Sequence, residues 1–161
     1  MILSTHAVVG GAIASLVPSN PVLAAVTGFA SHFAIDAIPH WDYPLPPISI
    51  SKGADNRSLR SNGALIIDLT SIGVDACAGV ALAIWLFATP ASASVIALGA
   101  TAAIVPDPLQ FVHSVYPQEP LVRLQRFHEW IHAKRKLAWK LGVSSQVAFE
   151  AAVTVFASAM R

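Results

Sequence analysis

Charge and cysteine are what this 161-residue chain has least of. Charged residues make up 12% of it, about half the share of an ordinary soluble domain, while 55% is hydrophobic. Mean hydropathy is accordingly positive, at +0.61. The single cysteine, Cys77, lies inside an apolar run, so no intramolecular disulfide can form and cysteine-based zinc sites are excluded. Any metal must then be held by His, Asp or Glu. The net charge of +1 leaves no global basic field and excludes nucleic acid as the expected partner. The N-terminus has no basic n-region and no clear cleavage site, so it reads as a retained first helix rather than a signal peptide. These features point to one compact, all-α membrane unit over residues 1–161, with an alanine-rich soluble bundle as the alternative.

Five apolar segments are present, separated by Pro, Gly and charge clusters. They run from Ile2 to Val17, Val22 to Ile38, Gly63 to Ala88, Ala91 to Val105 and Val143 to Met160. Pro18-Ser19-Asn20-Pro21 joins the first two so tightly that a helical hairpin is expected. Only the third clearly has the length that hydrocarbon demands; shorter segments must tilt, thin the bilayer or form a buried hairpin. Gly10, Gly11, Gly28, Gly73 and Gly79, with many alanines, permit the close helix contact on which packing in lipid relies. The expected fold is a polytopic bundle of four to five helices plus one interfacial helix.

Charge predicts the orientation. If all five segments span, loops 39–62 and 106–142 share one side. Those loops hold Lys52, Arg57, Arg60, Arg123, Arg126, Lys134, Arg135, Lys136 and Lys140, and only Arg161 among the basic residues lies elsewhere. The opposite turns carry no charge. The positive-inside rule makes the loaded side cytoplasmic, and Trp41, Tyr43 and Trp85 fit aromatic belts. From Pro120 to Leu141 the chain is different in kind. Leu121, Leu124, Phe127, Trp130 and Ile131 form an apolar face among Arg and Lys, the pattern of a helix lying on an anionic membrane surface. A cytoplasmic helix packed across the bundle mouth fits equally well.

The ionisable residues gather at that same end. His6 opens the first segment; His32 and Asp36 close the second, with His40 and Asp42 just beyond Pro39. Asp68 and Asp75 lie on the third, and Asp107 ends the fourth. Burying such groups is costly unless they are paired or bind metal. His32 and Asp36 are one helical turn apart and can share an ion. His and carboxylate ligands without sulfur suit zinc, manganese or iron, and several carboxylates permit two ions. The expected ligands are His6, His32, Asp36, His40, Asp68 and Asp107. Each has a simpler reading: an internal His–Asp hydrogen bond, a helix-start carboxylate favoured by the dipole, or an Asx turn at Asp42 or in Pro106-Asp107-Pro108. Asp75 and His113 are weaker candidates. His128-Glu129-Trp130-Ile131-His132 spells H-E-x-x-H, which on a helix puts both histidines on one face with Glu129 as general base.

Gly28-Phe29-Ala30-Ser31-His32-Phe33-Ala34-Ile35-Asp36, followed by Pro39-His40-Trp41-Asp42, resembles a family of bacterial inner-membrane proteins known as membrane-bound metal-dependent hydrolases. His6 looks like that family's early His, Pro106-Asp107 resembles its Pro-Asp element, and His128 with His132 are a loose counterpart of its paired histidines. The chain departs from the family's Pro-Asp-x-Asp-His element, since Pro106-Asp107-Pro108-Leu109-Gln110 lacks the second acid and the His. The S-H-x-x-x-D helix also comes early rather than late. The resemblance covers about a quarter of the chain and implies a distant similarity to phospholipase C-type zinc hydrolases.

Three functions follow as expectations. The first is a metal-dependent hydrolase of a phosphoester or lipid headgroup in the bacterial inner membrane, with Asp42 or Glu129 as base. The second is a membrane zinc protease using His128, Glu129 and His132. The third is a non-enzymatic metal-binding scaffold.

Overall fold

In a computed structural model, residues 1–43 and 62–161 are described. The expectations for Lys52, Arg57 and Arg60, and for most of the 39–62 loop, lie outside them. The described residues form seven helices and no strand: α1 (Leu3–Ser15), α2 (Pro21–Asp36), α3 (Asn62–Phe87), α4 (Ala93–Ile104), α5 (Pro106–Val115), α6 (Leu121–Ile131) and α7 (Trp139–Ala159).

The first helix is apolar all round, and such a helix belongs in the centre. It packs against α2, α3, α4 and α7, with Ala7, Val8, Ala12 and Ala14 buried. Its hairpin with α2 is set by Asn20, whose side chain accepts from the Leu23 N–H at 3.0 Å, while Pro21 starts the helix where its missing N–H costs nothing. Close approach of α1, α2 and α4 depends on glycine. A Cβ on Gly10 would lie 2.5 Å from the Gly99 carbonyl oxygen, and one on Gly28 would strike that same oxygen. Only hydrogen fits where these three backbones meet.

Two helices are long and apolar enough to cross a membrane, Ile66–Phe87 and Trp139–Ala159, and α4 with α5 makes a third if the pair, bent by 42°, is one span. Ile66, Ile67, Val74, Trp85, Val155 and Phe156 stand exposed on α3 and α7, a surface that water penalises and lipid tails do not. The first two segments take the buried-hairpin alternative rather than spanning. With 13 and 16 residues, α1 and α2 are only about 20 and 24 Å long at 1.5 Å per residue. That falls short of a hydrocarbon core of about 30 Å. The central helix instead has protein around it.

Two differences concern residues 106–142. Pro106-Asp107-Pro108 ends α4 but also starts α5, because proline is tolerated in a first helical turn. The basic segment is not one helix from Pro120 to Leu141. It breaks at His132, whose ψ of 133° is not helical, and α7 begins at Trp139. Within α6 the buried positions are Gln125 and His128, while Trp130 is 73% exposed.

The helices alternate in direction, giving the bundle two chemically distinct ends. One gathers the start of α1, the end of α2, the α4–α5 bend, α6 and the start of α7. At the other, Ser15, Phe87, Thr89, Ser92 and Arg161 line a cavity of about 490 Å³. There the Arg161 guanidinium donates to the Phe87 carbonyl at 2.7 Å, satisfying an orphan acceptor at the end of α3.

Candidate metal centre

Asp36, in the last turn of α2, is buried, and its carboxylate is the hub of the polar end. Oδ2 lies 3.3 Å from His32 Nε2, 3.1 Å from His128 Nε2 and 3.8 Å from His132 Nε2. Oδ1 lies 3.2 Å from His6 Nε2, 3.8 Å from His40 Nε2 and 2.6 Å from the Met1 amino group. Five imidazoles thus present the same ring nitrogen to one carboxylate. Asp107, in the first turn of α5, closes on His32 at 3.5 Å, and the His6 and His32 rings stack 3.9 Å apart.

The ring tautomers follow from what the other nitrogen touches. His32 Nδ1 is 2.8 Å from the Ala103 carbonyl and His40 Nδ1 is 2.6 Å from the Ile38 carbonyl. A carbonyl can only accept, so Nδ1 carries the proton, and each ring, when neutral, aims the Nε2 lone pair into the cluster. Burial works to lower the His32 imidazole, but Asp107 and Asp36 outweigh it and raise the group to about 9. A backbone carbonyl behind a His is the usual second partner of a metal ligand. His6 is orphaned at both ring nitrogens, and His40 Nε2, although 2.7 Å from Asp42 Oδ1, is not aligned for a hydrogen bond.

Two groups have ligand atoms mutually close enough for one ion: His32, Asp36, Asp107 and His128; and Asp36, His40 and His132. In the first, four of the six ligand-atom separations are close to those of a tetrahedral ion. Bonds of about 2.0 Å around zinc put neighbouring ligand atoms about 3.3 Å apart. The separations here are 3.3 Å for His32–His128, 3.3 Å for His32–Asp36, 3.1 Å for His128–Asp36 and 3.5 Å for His32–Asp107. The second group is wider, with both histidines 3.8 Å from Asp36, which it shares with the first. His32 and His128 are almost fully buried, whereas Asp107 is 35% and His132 25% exposed. One wall of the cluster therefore opens outward.

Asp42 stands at that opening. It contacts His40 at 2.7 Å, the Met1 amino group at 3.2 Å, His132 at 3.7 Å and Lys136 Nζ at 2.5 Å. Burial works to raise its carboxyl, but His40, the amino group and Lys136 outweigh it and hold the group well below the usual carboxylate range. Burial also pushes the His132 imidazole below its ordinary value, favouring the neutral form that can ligate.

Neighbouring segments fix this geometry. The Ala133 N–H donates to the Asp36 carbonyl at 2.8 Å and the Leu137 N–H to the His40 carbonyl at 2.9 Å, so the link from α6 to α7 runs alongside residues 36–40. Gln146 of α7 accepts from the Ile2 N–H at 3.0 Å and donates to the Trp41 carbonyl at 3.0 Å. It thereby ties the start of α1 to the Asp42 segment.

Of the residues singled out from the sequence, His6, His32, Asp36, His40, Asp42, Asp107, His128 and His132 come together. Asp68 is not among the converging ligand atoms, since it lies along α3 while the cluster is built by the other helix ends. Asp75 instead accepts from the Ser4 N–H at 3.0 Å and from the Tyr43 hydroxyl, and caps α1. His113 also stands outside. Glu129 is exposed and accepts from Gln125 at 3.0 Å. The His132 N–H donates to the His128 carbonyl at 2.9 Å, so the two histidines keep their one-turn spacing and both face Asp36, while Glu129 stands exposed on α6. Lys136 and Gln146 were not singled out; only the Lys134-Arg135-Lys136 run beside the histidines hinted at the former.

No family model matches the chain, and no curated protein or solved structure matches it either.

Proposed function

We propose that this protein is a membrane-bound, metal-dependent hydrolase of phosphoesters, with its site at the cytoplasmic end of a helical bundle in a bacterial inner membrane. The observation that carries the reading is the convergence of His32, Asp36, Asp107 and His128, whose ligand atoms all lie within 4.8 Å of one another, beside the partly exposed Asp107 and His132. The likeness of the helix-2 motif to membrane-bound metal-dependent hydrolases supports it independently. In this reading α3, α7 and the bent α4–α5 pair cross the bilayer, α1 and α2 pack within the bundle, and α6 lies at the anionic surface with Trp130 outward.

A divalent ion, zinc first with manganese or iron as alternatives, supplies Lewis-acid polarisation of a phosphoryl oxygen and neutralises developing charge. His32, His128, Asp36 and Asp107 hold it. Asp36, shared by both groups, allows a second ion on His40 and His132. The chain's own residues do the rest. Asp42, at the mouth, accepts a hydrogen bond from water. A carboxylate held so low is a weak base, so its first contribution is to orient that water.

Metal analysis of the detergent-purified protein is the direct test. About one to two equivalents of zinc, manganese or iron are expected. Metal-free protein, even after supplementation, overturns the reading.

A further inference from the structure

The mouth of the cluster carries a cation that no ligand role explains. Lys136 Nζ sits 2.5 Å from Asp42 Oδ2, yet its side chain is 62% exposed. An ammonium has three donors, and Asp42 uses one. The other two are left to solvent at this exposed position, beside the Asp42 carboxylate that also contacts His40 and His132. The position is built rather than incidental, because the Leu137 N–H to His40 carbonyl bond pins the neighbouring residue to the site. Its neighbour Lys134 differs, turning back to the Glu129 carbonyl at 3.0 Å. Arg123 pairs with Glu119 on the surface. Among the described residues, Lys136 is the one basic side chain in contact with the cluster.

We propose that Lys136 is the anchor for a phosphate group of the substrate, and so a specificity-determining residue of the site; this rests on the metal-dependent reading above. The chemistry selects the ligand. Imidazoles and carboxylates that hold an ion have their lone pairs on it and cannot offer an incoming oxyanion a cationic hydrogen bond, and Lys136 can. A neutral peptide or sugar gains nothing from that charge at the mouth, whereas a tetrahedral phosphate can bridge the ligand cluster and the ammonium. Two sources share this chemistry, a soluble phosphate ester and a phospholipid headgroup.

The test uses the full-length, zinc-loaded protein and compares wild type with Lys136→Gln, Lys136→Arg and, as a charge control, Lys134→Gln. Binding of inorganic phosphate is measured by calorimetry in a neutral detergent, with metal content read in parallel. Lys136→Gln is expected to weaken phosphate binding about tenfold or more, the size of one charge-assisted hydrogen bond, with metal content unchanged. Lys136→Arg should restore most of it and Lys134→Gln should leave it within about twofold. Equal affinity in Lys136→Gln and wild type, at full metal content, overturns the anchor while leaving the metal site standing. Equal weakening by Lys134→Gln overturns it too, since only general surface charge is then at work. A wild type that holds no zinc removes the metal-dependent reading, and the anchor with it. A second arm uses nanodiscs of phosphatidylcholine with or without phosphatidic acid. Lys136-dependent retention of phosphatidic acid identifies a lipid source; dependence with inorganic phosphate alone identifies a soluble one.

Discussion

At the scale of the residue, Asp36 has the least freedom to change. Its two oxygens face five imidazoles and an amino group, and both ligand groups include it. Asp36→Asn keeps the volume but removes the charge that holds these groups together. It is expected to lose bound metal at least about tenfold in affinity, because a neutral amide is a poor ligand. Competition with a chromophoric chelator measures this. Glu129→Gln gives the contrasting outcome, since Glu129 is exposed and bonded to Gln125; metal affinity and turnover should both stay within about twofold. A hundredfold loss of turnover in that variant would restore the protease-like role that the sequence pattern suggested. His128 and His132 thus earn attention for a reason other than their motif. The pattern placed them one turn apart, and the His132 N–H to His128 carbonyl bond keeps them so; a five-letter spacing does not say that Asp36, from another helix, stands between their ring nitrogens.

At the scale of the element, the glycine junction decides whether the site can form. Gly10, Gly28 and Gly99 let α1, α2 and α4 touch through backbone, and that contact carries His6 and His32 to the same end as the Ala103 carbonyl. Gly28→Val is expected to cost more than about 2 kcal/mol, the scale of overpacking with backbone movement. It should also lower metal affinity, because α2 is pushed outward. Thermal unfolding in detergent, with and without zinc, separates the two effects. A valine variant as stable as wild type would show that the three helices do not pack here. The hairpin of α1 and α2 was legible because Asn20 and Pro21 are strong local signals. The fifth helix was not, since Pro106-Asp107-Pro108 signals a stop as readily as a start, and only packing of α5 on α6 chooses between them. Asp68 illustrates the same limit. Helical periodicity places it on a face, but not beside a particular neighbour.

At the scale of the whole molecule, one-sidedness organises everything else. Among the described residues, Lys134, Lys136, five of the histidines and the opening of the cluster share one end of the bundle, while Ser19, Thr89 and Arg161 mark the other. The sequence made this legible because charge counts survive any error in helix boundaries. Depth was harder to read, because a 13-residue apolar helix surrounded by protein has the same composition as one surrounded by lipid. Membrane sidedness follows as a prediction. Cys77 is the only cysteine, so replacing it gives a background in which single cysteines report on exposure. Ser19→Cys and Arg135→Cys, both at exposed positions at opposite ends, should react with an impermeant maleimide from opposite sides. In intact cells with a permeabilised outer membrane, Ser19→Cys is expected to label and Arg135→Cys to label only after lysis. The reverse pattern would put the metal cluster outside the cytoplasm and reassign its substrates to that compartment. Labelling of both from one side would mean that the bundle does not cross the membrane, and that the exposed faces of α3 and α7 meet protein rather than lipid.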